Sequence, residues 1–321
     1  MAFHEEYNIR WYGPGRDSSE SMPMGGHDIG CNVWMEGNSV YLYIQQSGWF
    51  DENNSMLKFG RLRLIFEEAL IGRDSMQELV LEEGYIKIRI KDIRLILWTD
   101  VQYPVVHLEY KSEKKHRFTV HYESWRTRDR TVDRESFELF QCKEVFRCPD
   151  QDAVFHRDTI LPSDGLLAMY HANQTDDLSI YKEFEAQGIG HYKYEAYNPQ
   201  LHLVCGGLLY LPGMEYAGTR EDRYQDTPCT AFVYRPVEAA CKCHIQAVLG
   251  WEQTEDINHW RGRLEAVYRT ANEDPEGQKS RARKWWRDYF EKSYIRIQPM
   301  SGEKDSDRMW RIGRNYQLFR Y

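Results

Sequence analysis

Three short clusters in this sequence combine residue types and spacing that could do chemistry. His27-Asp28 could orient a substrate hydroxyl or serve as acid and base, and Asp51-Glu52, just after Trp49-Phe50, could supply carboxylates for glycosidic cleavage. Adjacent carboxylates in a strand or turn point apart, so Asp51 and Glu52 cannot flank one scissile bond, and at most one of them lines a site. Cys241-Lys-Cys243-His244 invites a metal reading, because Cys241 and Cys243 share one face of a strand. His244 then points the other way and no second ligand pair stands at zinc-like spacing, so the thiols read as buried strand residues and no metal is expected.

The stretch Asp17 to Gly30 (DSSESMPMGGHDIG) gathers polar side chains in a loop that opens a strand. Its Gly25-Gly26 pair allows either a close backbone approach to a ligand or a tight bend. A phosphate cradle is excluded, since such loops follow a strand and open a helix. Residue types alone favour a surface loop whose turns are capped by Asp and Ser. Neither a G-x-S-x-G elbow nor an H-E-x-x-H helix occurs.

These residues need elements to hold them. Cys31 to Gln46 holds two apolar runs around Gly37-Asn38, a hairpin signal. Ile86, Ile88 and Ile90 alternate with Lys87, Arg89 and Lys91, the period of a strand with one wet face. Val105 to Tyr110 and Phe118 to Tyr122 continue the alternation across a polar turn, KSEKKHR, which predicts a meander. Weaker strand signals lie at Phe137 to Val145, Leu201 to Leu211 and Thr230 to Trp251, and Leu178 to Ala186 reads as a short helix. Many short strands imply a large β-sandwich. From Asp256 the pattern turns helical: Trp260, Leu264, Val267, Tyr268 and Ala271 share a face, Asn272-Glu-Asp-Pro275 breaks the pattern, a second helix follows with the stripe Trp285, Trp286, Tyr289 and Phe290, and a third carries Met309, Ile312, Tyr316 and Phe319 on one face to Tyr321.

A net charge of −8 argues against a dedicated nucleic-acid or anionic-membrane partner, because phosphate neutralisation calls for a basic surface. The run KSRARKWWRDYF reads as a solvated basic face opposite a packed aromatic one. Ten Trp and 22 Tyr suit stacking on sugars, but they fill cores equally well. The seven Cys lack C-x-x-C spacing and read as reduced thiols, and the N-terminus MAFHEEYNIRWYG is unlike a signal peptide. With no run near 18 apolar residues, a cytoplasmic location is expected.

The segment Ser18 to Phe66 resembles the N-terminal β-sandwich of bacterial glycoside hydrolases related to the α-L-fucosidase and maltose-phosphorylase groups. The resemblance rests on Met22 to Gly30 (Met-Pro-x-Gly-x-x-Asp-Ile-Gly), Asn32-Val33-Trp34, Trp49 to Asn53 and Leu57 to Arg63. At the other end, KWWRDYFEKSYIRI resembles the linker helix of such enzymes and RNYQLFRY the first helix of their barrel. The resemblance implies a mainly β chain: a large antiparallel super-sandwich over residues 1–254, linker helices over 255–298 and, over 299–321, the start of an (α/α)6 barrel otherwise missing from this sequence. It places the catalytic carboxylates in that barrel, so no catalytic residue is assigned, and no cofactor is expected. Asp17, Ser18, Ser21, His27, Asp28, Trp49 and Asp51 are the candidates for rim contacts to a carbohydrate substrate. Two functions compete: the N-terminal part of a glycoside hydrolase acting on oligosaccharide or polysaccharide, or a non-catalytic carbohydrate-binding or scaffold module. A complete enzyme using Asp28 or Asp51 ranks last.

Overall fold

The computed structural model describes residues 5–133, 153–176, 178–297 and 308–321. It is mainly β, built from a nine-stranded and a seven-stranded antiparallel sheet. Across the first sheet run β1 (Ile9–Tyr12), β6 (Met76–Val80), β7 (Tyr85–Ile90), β8 (Ile93–Thr99), β9 (Val105–His116), β18 (Ala240–Gln253), β15 (Leu203–Tyr210), β14 (Leu166–Ala172) and β13 (Thr159–Ser163). Across the second run β16 (Met214–Tyr224), β17 (Thr227–Pro236), β10 (Phe118–Ser124), β5 (Gly60–Phe66), β4 (Ser39–Gln46), β3 (Ile29–Glu36) and β2 (Met22–Gly26). A small pair, β11 (Arg130–Val132) with β12 (Ala153–Phe155), stands apart. The expected strand at Phe137 to Val145 lies outside the described residues, as do Cys142 and Cys148.

Alternation explains the packing. Ile86, Ile88 and Ile90 are fully buried and join Val33, Leu42, Leu64 and Val120 of the other sheet in one core. Each such side chain contributes about 1.5–3 kcal/mol by leaving water. Lys87, between them, reaches Glu78 at 3.7 Å on the wet face. The β3–β4 hairpin forms at Gly37-Asn38, with Glu36 opposite Ser39. Only Gly37 takes a positive φ (56°) there. The Asn38 side chain instead bonds the Phe66 and Glu68 carbonyls and the Leu70 amide, so it pins the chain after β5.

Two expectations need correction. KSEKKHR is not a turn, because β9 runs on to His116, and β10 enters the seven-stranded sheet between β5 and β17. The meander therefore ends at β9. Alternation tells which side of a strand is wet, but not which sheet receives it. The stretch Asp17 to Gly30 is not one loop either: Met22 to Gly26 form edge strand β2, paired with β3. Gly26 serves sheet contact, since a Cβ there would lie 2.4 Å from Thr99 Oγ1.

Helix α1 (Ser179–Ala186) forms where the sequence places it. Asp256 caps α2 (Ile257–Ala271) by accepting from the amides of Asn258 and His259, and Asp274 with Pro275 starts α3 (Pro275–Lys292). Helix α2 lays Trp260 and Leu264 on the outer face of the nine-stranded sheet, beside Val105 and Val248. In α3, Trp286 and Phe290 are buried, whereas Trp285 is half exposed. Helix α4 (Arg308–Arg320) reverses its expected face. Trp310, Gly313 and Gln317 turn inward, Trp310 lying 5.6 Å from Tyr7, and Met309, Ile312 and Phe319 face solvent. Gly313 permits this approach, since a Cβ there would already lie 3.3 Å from the Ile297 nitrogen. No helix among the described residues is long and apolar enough to cross a membrane.

Candidate functional site

His27-Asp28 forms the turn between β2 and β3, with Gly26 opposite Ile29 and His27 at φ 55°. A non-glycine residue in that region is held by its surroundings. Here His27 Nδ1 bonds Asp28 Oδ1, and both Asp28 oxygens accept from Gln46 Nε2 at 3.1 Å. Gln46 Oε1 accepts in turn from the Trp49 indole at 3.2 Å. A polar chain thus runs from exposed His27 down to buried Trp49.

A cleft of about 480 Å³ opens beside this turn, lined by His27, Gln46, Trp251, Glu252 and Arg263 among others. Trp251, near the end of β18, remains 46% exposed. Gly48 makes room for it: its φ is 87°, and a Cβ there would lie 3.1 Å from the Trp251 ring. On the far side Glu252 is held by Arg263 Nη1 at 2.9 Å and His259 Nε2 at 3.5 Å. Gln253 fixes the adjoining loop, donating at 2.9 Å to the carbonyls of Asn198 and Leu201 and accepting at 2.7 Å from the hydroxyl of Tyr197, itself 78% exposed. An exposed indole in one cleft with amide, carboxylate and imidazole groups offers an apolar platform with hydrogen-bonding walls, which suits a polyhydroxylated ligand.

Asp51 and Glu52 diverge, as their adjacency predicts, and neither reaches the surface. Asp51 accepts from the amides of Asn53 at 2.9 Å and Ser55 at 2.7 Å, and burial pushes its carboxyl up to about 6. Glu52 accepts from the Gln174 amide at 2.7 Å and meets His171 Nε2 at 3.2 Å. His171 Nδ1 lies 3.1 Å from Asp158 Oδ1, and Arg126 binds Asp158 through Nε and Nη2 at 3.0 and 2.7 Å. Burial opposes ionisation of Glu52, but His171 and the Gln174 amide still hold it below the usual range. Burial likewise disfavours the imidazolium, but its bonds to Asp158 and Glu52 outweigh that and raise His171 to about 9. Two carboxylates and two cations close a neutral buried chain that braces the 49–59 loop beneath the cleft.

The seven candidates therefore do not form one site. His27 borders the cleft, Asp28 and Trp49 reach it only through their bonds to Gln46, and Asp51 shapes the turn after Trp49. Asp17, Ser18 and Ser21 stand at the other end of β2, roughly 20 Å away at about 3.3 Å per residue. There Asp17 accepts from the Ser19 amide, the Ser18 amide donates to the Tyr224 hydroxyl, and Ser21 Oγ accepts from Asn32. A larger cleft of about 760 Å³ beside Ser21 is the seam where α4 leans on β1 and the start of β2. Sequence reasoning missed Gln46, Trp251, Glu252 and Tyr197. The aromatic run HYKYEAYNP was a usable signal for the last; Trp251 looked like an ordinary strand residue.

Among the described residues the five thiols are free, and Cys241 and Cys243 do not join a metal-ligand cluster. A family model described as a domain of unknown function (DUF5703), in its N-terminal form, matches residues 10–295, a span that takes in both sheets together with α2 and α3. No curated protein matches the sequence.

Proposed function

The chain belongs to the DUF5703 family, and from its cleft we propose that it recognises carbohydrate, as the N-terminal part of a glycoside hydrolase acting on oligosaccharide or polysaccharide. The half-exposed Trp251 carries this reading: its indole stands over Gly48 and lines a cleft that Gln46, His27 and Glu252 also line. A pyranose face stacks on such a ring while its hydroxyls exchange bonds with the surrounding amide and carboxylate. In this reading the sandwich holds the sugar, and bond cleavage belongs to a helical barrel acting with it in the cytoplasm. The second reading, a non-catalytic carbohydrate-binding or scaffold module, uses the same cleft.

A glycan screen followed by calorimetry tests the proposal. Trp251→Ala is expected to weaken binding of the selected glycan by about 10–100-fold, a loss of roughly 1–3 kcal/mol, with the thermal midpoint unchanged. Equal affinity in parent and variant, or binding of no glycan at all, sinks it. Glycosidase turnover by the purified chain would reassign the chemistry to these residues.

A further inference from the structure

The outer face of the seven-stranded sheet holds a second cluster, independent of the cleft. His121 and Glu123 alternate along β10 with the core residues Val120 and Tyr122 and project outward, and Asp222 comes from β16, two strands away. His121 is 2% exposed and Glu123 fully buried. His121 Nε2 lies 3.3 Å from Thr119 Oγ1, which leaves Nδ1 turned towards Glu123 Oε1 at 4.0 Å. Neither of these two atoms has a hydrogen-bond partner. With the proton on Nε2, two lone-pair acceptors face each other in a buried gap, an arrangement that costs free energy unless an electrophile stands between them.

We propose that His121, Glu123 and Asp222 form a binding site for a divalent transition metal such as Zn²⁺ or Mn²⁺. Each offers one ligand atom, and the three lie within 4.8 Å of one another. Ligands at roughly 2.0–2.2 Å from a tetrahedral ion stand about 3.3–3.6 Å apart, so side-chain adjustments of about an ångström close the shell. One imidazole with two carboxylates favours Zn²⁺, Mn²⁺ or Fe²⁺ over the all-oxygen preference of Ca²⁺ and Mg²⁺. Arg61 binds Glu123 Oε2, orienting the carboxylate so that Oε1 remains for the ion. Two cations compete: Arg220 Nη2 donates to Asp222 Oδ2 at 3.0 Å, and Arg63 Nη1 lies 3.6 Å from Glu123 Oε1 and 3.7 Å from Asp222 Oδ2, too far to hydrogen-bond, which makes Arg63 the one more easily displaced. It is one quarter exposed, so the ion displaces it towards solvent.

The test is titration of the chelator-stripped full chain with Mn²⁺, read by electron paramagnetic resonance, and with Zn²⁺ by calorimetry. The expected result is about one ion per chain, weakened by about tenfold or more in Asp222→Asn. Arg63→Ala should bind more tightly than the parent, because it removes a competing charge, and a merely structural cluster would not give that opposite shift. Absence of stoichiometric binding overturns the proposal. So does equal affinity in all three proteins, which would place the ion at other side chains such as Cys241 and Cys243.

Discussion

Replacing His171 by leucine is expected to lower the free energy of unfolding by about 3–5 kcal/mol, seen as a fall in the urea midpoint. Leucine is close in volume, so the loss comes from charge rather than from a cavity. His171 lies between Glu52 at 3.2 Å and Asp158 at 3.1 Å, and its removal leaves Glu52 buried without a cation. Asp158 keeps Arg126. The parent should also lose stability in alkali. His171 is raised from 6.5 to about 9 on folding, so its contribution is complete below pH 6.5 and disappears as pH rises through about 9. That limb is worth roughly 3 kcal/mol. It should be missing from His171→Leu, and a parent midpoint that stays flat across it would show that the ring is neutral in the fold.

Gly84→Val is expected to cost roughly 2–5 kcal/mol and to loosen α3 from the sheet. Two penalties add. Gly84 closes a short 3-10 turn (Leu81–Glu83) at φ 64°, a region that costs a β-branched residue about 1–2 kcal/mol. A Cβ there would also lie 2.0 Å from the Trp286 indole, so the helix must shift, which adds about 1–3 kcal/mol. Glu83 beside it binds Arg287 and Arg283, and Arg283 lies 4.7 Å from the Tyr85 ring centre, so the whole junction moves together. Red-shifted tryptophan emission and faster proteolysis near α3 would report the release. Unchanged emission and a midpoint equal to the parent's would show that Trp286 can repack without Gly84.

Much of the scaffold was legible because its signals are local. Gly37-Asn38 announced the β3–β4 hairpin, Ile86 to Ile90 announced a half-wet strand, and the break at Asn272 to Pro275 announced that α2 ends and another helix follows. The crossing from β9 to β10 was not, since adjacent alternating strands look alike whether they share a sheet or face each other across a core. The face of α4 was misread because two helical stripes compete there. The more apolar one, through Met309, Ile312 and Phe319, lost to Trp310, Gly313 and Gln317, whose advantage is shape beside Tyr7 and Ile297. At the cleft, His27-Asp28 stood out by residue type. Trp251 did not, because its exposure depends on Gly48, about 200 positions earlier in the chain.

The placement of β18 between β9 and β15 has a consequence for synthesis. As the polypeptide leaves the ribosome, the four-strand ribbon β6 to β9 can assemble early, but its outer strand must wait more than a hundred residues for its neighbour. During that interval β9 presents unsatisfied amides and carbonyls to other nascent chains. Its distal half, KSEKKH, answers the hazard with a block of mostly basic side chains that repels a second copy of itself. Of that block Lys111 and His116 gain partners on β18, opposite Lys242 and Ala240, while the residues between them bulge out of the ladder.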